Sequence, residues 1–254
     1  MDVSAIPFCL SDGVRKLLEQ VEQKADTVVI LREREFSSFD DHACASGGFD
    51  EWTPVVSINK ARREEFDEHS LAHELLHIKR FLQGVHSLET PEMVQGIDSN
   101  DARIRKAFAN DLTNQIEHAA IFPQLVELGF DPHKQADEWK RSQIADIRLE
   151  EQHQHLPTSV QYAWSGAKVG ISPFLGASAE LQREYRTALS SVAPGVLNVG
   201  DNVTAVIKRY GFSNPYSLRR LYIGMLRAVG VPKRAFLLKQ MNFRLQRESL
   251  ELIP

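Results

Sequence analysis

The chain has 254 residues, 43% apolar and 25% charged, with a formal net charge of −4. This is the balance of a globular protein, long enough for one large domain or two small ones, and it excludes a low-complexity or disordered chain. No apolar run approaches the roughly 20 residues that span a bilayer. The N-terminus MDVSAIPFCL lacks the basic start and apolar stretch of a secretory signal, and Cys9 and Cys44 are too few for a disulfide framework. A cytoplasmic protein with reduced thiols and no membrane association is expected.

In chain order, Ser11 is the expected cap of a first helix that carries Val14, Leu17, Leu18 and Val21 at helical spacing. Residues 27–31 (TVVIL) and 54–58 (PVVSI) are expected strands. The polar stretch from Glu35 to Glu51 between them, with Gly47-Gly48 inside, is expected to be a surface loop. A helix is expected from about Glu64 to Leu82, its apolar face formed by Phe66, Leu71, Leu75, Ile78 and Leu82. A loop over about 85–99 follows, then a long helix over about 101–122 that Pro123 ends or that restarts there and closes at Gly129. Further helices are expected over about 133–152, 177–192, 203–210, 215–229 and 232–251. Early strands and late helices make the expected class α+β, mostly helical, with a small N-terminal sheet. A boundary near 193–202 would separate a domain of residues 1–195 from a basic helical region, 196–254.

The strongest local signal is HELLH, formed by His73, Glu74 and His77. Histidines four residues apart on a helix share one face, so both rings can reach a single ion at about 2.0 Å. Glu74, beside the first of them, is placed to take a proton from a metal-bound water. The motif lies inside an apolar-periodic helix, as this chemistry requires. A catalytic zinc has three protein ligands and an open position, and Glu117 is the expected third. It sits in NQIEHAAIF, with the small Ala120 one turn later to let its helix approach closely. His118, His86 and Cys44 are the competitors.

Other residues could support the site. His69, one turn before His73, is expected at the surface or behind the ligands, because three histidines in file would strain one tetrahedral ion. Asp111 and Glu68 are candidate acceptors for imidazole N–H groups. His153, His155 and Tyr162 are candidate donors to a developing oxyanion. Cys44 is a candidate regulatory ligand that could occupy the open zinc position until oxidised.

HELLH with a downstream helical Glu-x-x-Ala resembles the gluzincin metallopeptidases, and among them the small cytosolic ImmA/IrrE-like group. The resemblance covers about residues 50–125. It implies a minimal zincin-like core, a bound Zn2+, and a protein or peptide substrate hydrolysed by metal-activated water. It also implies that the strand before the zinc helix, here 54–58, forms the rim along which substrate adds as an extended strand.

Charge is unevenly distributed. From residue 200 onward, ten Lys and Arg face three acids, a charge of +7 that leaves −11 on the rest. Such a segment suits nucleic acid or an acidic partner. The leading function is therefore a zinc-dependent endopeptidase acting on a specific intracellular protein. The alternative is a nucleic-acid-binding regulatory protein with a structural or vestigial metal site, or a peptidase controlled by nucleic acid through residues 200–254.

Overall fold

A computed structural model describes residues 6, 8–36, 43–91, 99–131, 133–153, 159–193, 195–212 and 214–253. The class is mixed α+β and predominantly helical, as expected, with a second small sheet beside the N-terminal one that was expected. The helices are α1 (Asp12–Ala25), α2 (Glu68–Leu82), α3 (Asn100–Glu127), α4 (Lys134–His153), α5 (Ser159–Ile171), α6 (Ala179–Val192), α7 (Gly195–Tyr210) and α8 (Pro215–Ala228). The strands are β1 (Ile30–Arg34), β2 (Ala45–Asp50), β3 (Thr53–Asn59), β4 (His86–Glu89), β5 (Leu237–Asn242) and β6 (Arg247–Leu252). Among the described residues, no helix is long and apolar enough to cross a membrane. The chain divides into two compact units, one of Met1–Val85, Pro123–Phe130 and Met241–Glu248, the other of His86–Phe122, Asp131–Gln240 and Ser249–Pro254.

In the first unit, the Ser11 hydroxyl accepts the Val14 N–H to open α1, whose apolar side chains Val14, Leu17, Leu18 and Val21 are all buried. Burying each stabilises the fold by roughly 1.5–3 kcal/mol. The sheet has the order β1-β3-β2, with β3 parallel to β1 and antiparallel to β2. Val55 and Val56 on successive positions are both buried, the pattern of a strand covered on two faces. α2 packs against β2 and β3, and Asp67 caps it by accepting the Ser70 N–H at 2.8 Å. Phe49 fixes the far end of β2, with its ring 6.2 Å from Phe81 and 4.3 Å from Phe243.

Two expectations fail here. β2 lies inside the stretch read as a surface loop. Its sequence ASGGFD has neither the alternation nor the β-branched residues of a strand, and only pairing with β3 makes it one. The strand at 54–58 is also not a rim: β3 is the middle strand, so both its edges are occupied.

In the second unit, α5 and α7 cross at glycines. A Cβ on Gly166 would stand 2.4 Å from Val199 Cγ1, and one on Gly170 2.4 Å from Val203 Cβ. α4 and α6 enclose Ile144, Leu181, Tyr185 and Leu189, together with Val169 and Val196. α8 opens with a reciprocal cap, Asn214 and Ser217 each accepting the other's backbone N–H, and buries Leu218, Leu221, Tyr222, Met225 and Leu226.

The later expectations divide. α3 runs through Pro123 to Glu127 rather than ending near 122, at the cost of the hydrogen bond that Pro123 cannot donate. Residues 195–210 form one continuous helix across the stretch read as a boundary, and α5 was not anticipated. The helix expected over 232–251 is instead β5 and β6, while β4 lies in the expected 85–99 loop. β4 and β5 pair antiparallel, with Leu88 opposite Leu238. Both leucines are buried, so a partner distant in sequence overrides local helical periodicity.

Lys140 is an outlier in this unit. Its side chain is 1% exposed, donates to Gln143 Oε1 at 2.8 Å, and places Nζ 4.0 Å from the centre of the Tyr185 ring. Burial, reinforced by the charge of Lys168, lowers its pKa to about 7. The unfolded chain therefore holds this proton between about pH 7 and 10.5 while the folded chain sheds it, so stability rises with pH across that window. Denaturant titrations from pH 7 to 10 should show an increment of up to about 1.4 kcal/mol per pH unit from this group. Lys140→Met should flatten it. Gly170→Ala should destabilise by roughly 1–3 kcal/mol, because overpacking against Val203 outweighs the gain of about 1 kcal/mol in helix propensity.

Candidate metal centre

α2 places His73 and His77 one turn apart, and their Nε2 atoms are 3.1 Å from each other with ring centres 4.8 Å apart. Neither ring is swallowed by the core, since Leu71, Ala72, Leu75, Leu76 and Ile78 take the buried positions around them. Glu74 is held from the sheet side. Its Oε2 accepts the Gly47 N–H of β2 at 2.5 Å, and its side chain is only 13% exposed. Its Oε1 stands 4.0 Å from His73 Nε2. Burial raises the Glu74 pKa to about 8, opposed by the Gly47 hydrogen bond.

Gly47 is the residue the sequence reading overlooked. A Cβ there would lie 2.8 Å from the Glu74 carbonyl oxygen and 3.0 Å from Oε2, so only glycine lets the strand sit this close to the helix. The one sequence hint was the Gly47-Gly48 pair, which equally suits a turn.

The third histidine of the group is His118. Ligand nitrogens of His73, His77 and His118 all lie within 4.8 Å of one another, a set that could hold a metal ion. Glu117, the expected ligand, is buried at 2% exposure on the adjacent position of α3. His118 shares its helix with Asp111, whose charge opposes the effect of burial, and burial lowers the His118 pKa to about 4. A neutral imidazole is the form that binds metal. The Asp111 carboxylate itself is fixed by the Trp164 Nε1–H, by Gln115 Nε2 at 2.7 Å and by Lys168 Nζ at 3.6 Å.

The remaining candidates are placed as follows. The His69 ring packs edge-on against Phe130 at 5.0 Å and is outside the histidine set. Glu68 accepts the Ser11 N–H. Cys44 donates its thiol to Ser70 Oγ at 3.2 Å, and it does not belong to the metal-competent set. His86 is buried in β4, where burial lowers its pKa. Tyr162 packs at the Ile144 cluster, its hydroxyl over Gly195. His155 and the side chain of His153 lie outside the described residues.

Gly47→Ala should force β2 away from α2 and cost about 1–3 kcal/mol of stability by urea titration. Gly48→Ala, which meets no atom within 4 Å, should cost less. Comparison with known proteins gives no match: no family model, curated protein or solved structure is similar to this chain.

Proposed function

We propose that the chain is a zinc-dependent endopeptidase cleaving a specific intracellular protein, with His73, His77 and His118 on the metal and Glu74 as general base. The observation that carries this reading is the 3.1 Å separation of the His73 and His77 Nε2 atoms. Two nitrogens each about 2.05 Å from a tetrahedral ion stand about 3.3 Å apart, so little movement is needed to seat one. His118 takes the third position in place of Glu117 because its ligand nitrogen already lies within 4.8 Å of the pair. The packing of helix α2 on a small sheet supports reading this part of the chain as a minimal zincin-like core.

Zinc, when bound, lowers the pKa of water to about 7 and polarises a substrate carbonyl. Glu74 then accepts a proton from the attacking water at a carboxylate oxygen. The Gly47 N–H fixes that carboxylate, so its orientation is set before substrate arrives. An extended substrate would pair with β2 rather than β3. The Asn59 N–H bonds the Cys44 carbonyl, and alternation along the strand turns the backbone groups of Ala45 and Phe49 and the Gly47 carbonyl away from β3, the Gly47 N–H being held by Glu74.

Metal analysis of purified protein supplied with zinc should find one ion per chain, lost in His73→Ala and His77→Ala. Glu74→Gln should keep the ion and lose roughly 10²- to 10⁴-fold in cleavage of a peptide-library substrate. A folded wild type that takes up no metal would end this reading. For the third ligand, His118→Ala should release zinc at chelator concentrations that leave Glu117→Gln loaded; the reverse result would return that role to Glu117.

A further inference from the structure

The basic region is not used by the metal centre, and its cations are gathered rather than scattered. From residue 202 to 247 the chain contains ten Lys and Arg and no Asp or Glu. Within this stretch α7 ends on Lys208 and Arg209, both exposed, and α8 exposes Arg220 and Arg227. Arg220 and Arg227 are seven residues apart, two turns along one helix face and about 10 Å in rise.

The two helices meet on that face. A Cβ at Gly224 would lie 2.7 Å from Val206 Cγ1 and 3.4 Å from Tyr210 Cε2, so the end of α7 rests on α8 at Gly224. Gly224 is four residues after Arg220 and three before Arg227, the spacings that share a face. Arg209, stacked on the Tyr210 ring that rests at Gly224, is thereby brought to the arginine row of α8.

Little neutralises this group. Arg219 forms an ion pair with Glu251, but Lys208, Arg209, Arg220 and Arg227 have no carboxylate partner among the described residues. Two of them are instead braced by aromatic rings. The Arg209 guanidinium lies 5.3 Å from the centre of the Tyr210 ring and that of Arg220 4.5 Å from Tyr216. A stacked guanidinium loses less side-chain freedom when it meets an anion than a free one does.

We propose that this α7–α8 face docks on the phosphate backbone of duplex DNA. Unpaired cations from two helices suit a partner of high, regular charge density, and a duplex carries one negative charge per about 1.7 Å of axis. Tyr210 and Tyr216 each hold a guanidinium on a ring face, so they brace cations rather than offer a stacking platform for unpaired bases. The contacts are to phosphate and carry no sequence preference.

Fluorescence anisotropy of the full-length chain with a labelled 20-base-pair duplex, at several salt concentrations, tests this. Affinity should fall with salt on a log–log slope of about −3, as expected for three to four phosphate contacts. Arg209→Gln/Arg220→Gln/Arg227→Gln should weaken binding at least tenfold and flatten the slope by about 2–3. Arg148→Gln, at a cation paired with Glu184, should change neither. If the triple variant misfolds by circular dichroism, Arg220→Gln alone should flatten the slope by about 1. Absence of binding at low salt, an unchanged slope in the variants, or tighter binding of single-stranded RNA or of a Glu-rich peptide would each overturn the proposal. The readout is independent of metal uptake and cleavage, so it fails or stands apart from the peptidase reading.

Discussion

The contact between Gly47 and Glu74 fixes the state of the carboxyl beside the histidine pair. A glutamate beside two histidines on a helix is free to point into solvent, and there its carboxylate would be an ordinary one. Seating β2 directly on α2 changes that. The Gly47 N–H takes one carboxylate oxygen, the close approach excludes water, and the carboxyl becomes a buried group with a raised pKa. The cost is borne by the strand, which must be glycine at this position and so forgoes the side chain that would otherwise favour β structure.

The same contact orders the elements around it. β3 lies between β1 and β2 and is sealed by its neighbours, while Val55 and Val56 bury into both faces. Phe49, two residues beyond Gly47, anchors the other end of β2 against Phe81 of α2 and against Phe243. α2 is held at its start by Asp67 and at its apolar face by α1. The histidine pair thus sits on a helix fixed at several points, which is how a metal site achieves short ligand distances without a large ordering cost on binding.

Polar groups gather elsewhere, some of them buried, with less obvious return. Asp111 gathers Trp164, Gln115 and Lys168 around one carboxylate, and its field reaches His118. Lys140 is buried without a carboxylate of its own and relies on Gln143 and the Tyr185 ring. Each such group costs stability unless its bonds are complete. That they cluster in the helical unit suggests that its core is shaped by more than apolar packing, which elsewhere closes to glycine–valine contact between α5 and α7.

The sequence by itself determined the helical elements with strong caps and periodicity, the α+β class, the existence of the strand at 54–58 though not its central place, and the metal-competent pair. All follow from local rules: Ser11 and Asn214 satisfy the N–H groups next to them, and four-residue spacing puts His73 and His77 on one face whatever the surroundings. Only the tertiary structure decided the rest. β2 exists because β3 offers a partner, and the chain after residue 232 turns into strands because β4 does. That His118 joins His73 and His77 in a set able to hold a metal ion is likewise not encoded in any spacing along α3. Strand pairing and the gathering of these histidines are relations between segments distant in sequence. Their energy lies in burial and hydrogen bonds formed only on assembly, and so in no single stretch of the chain.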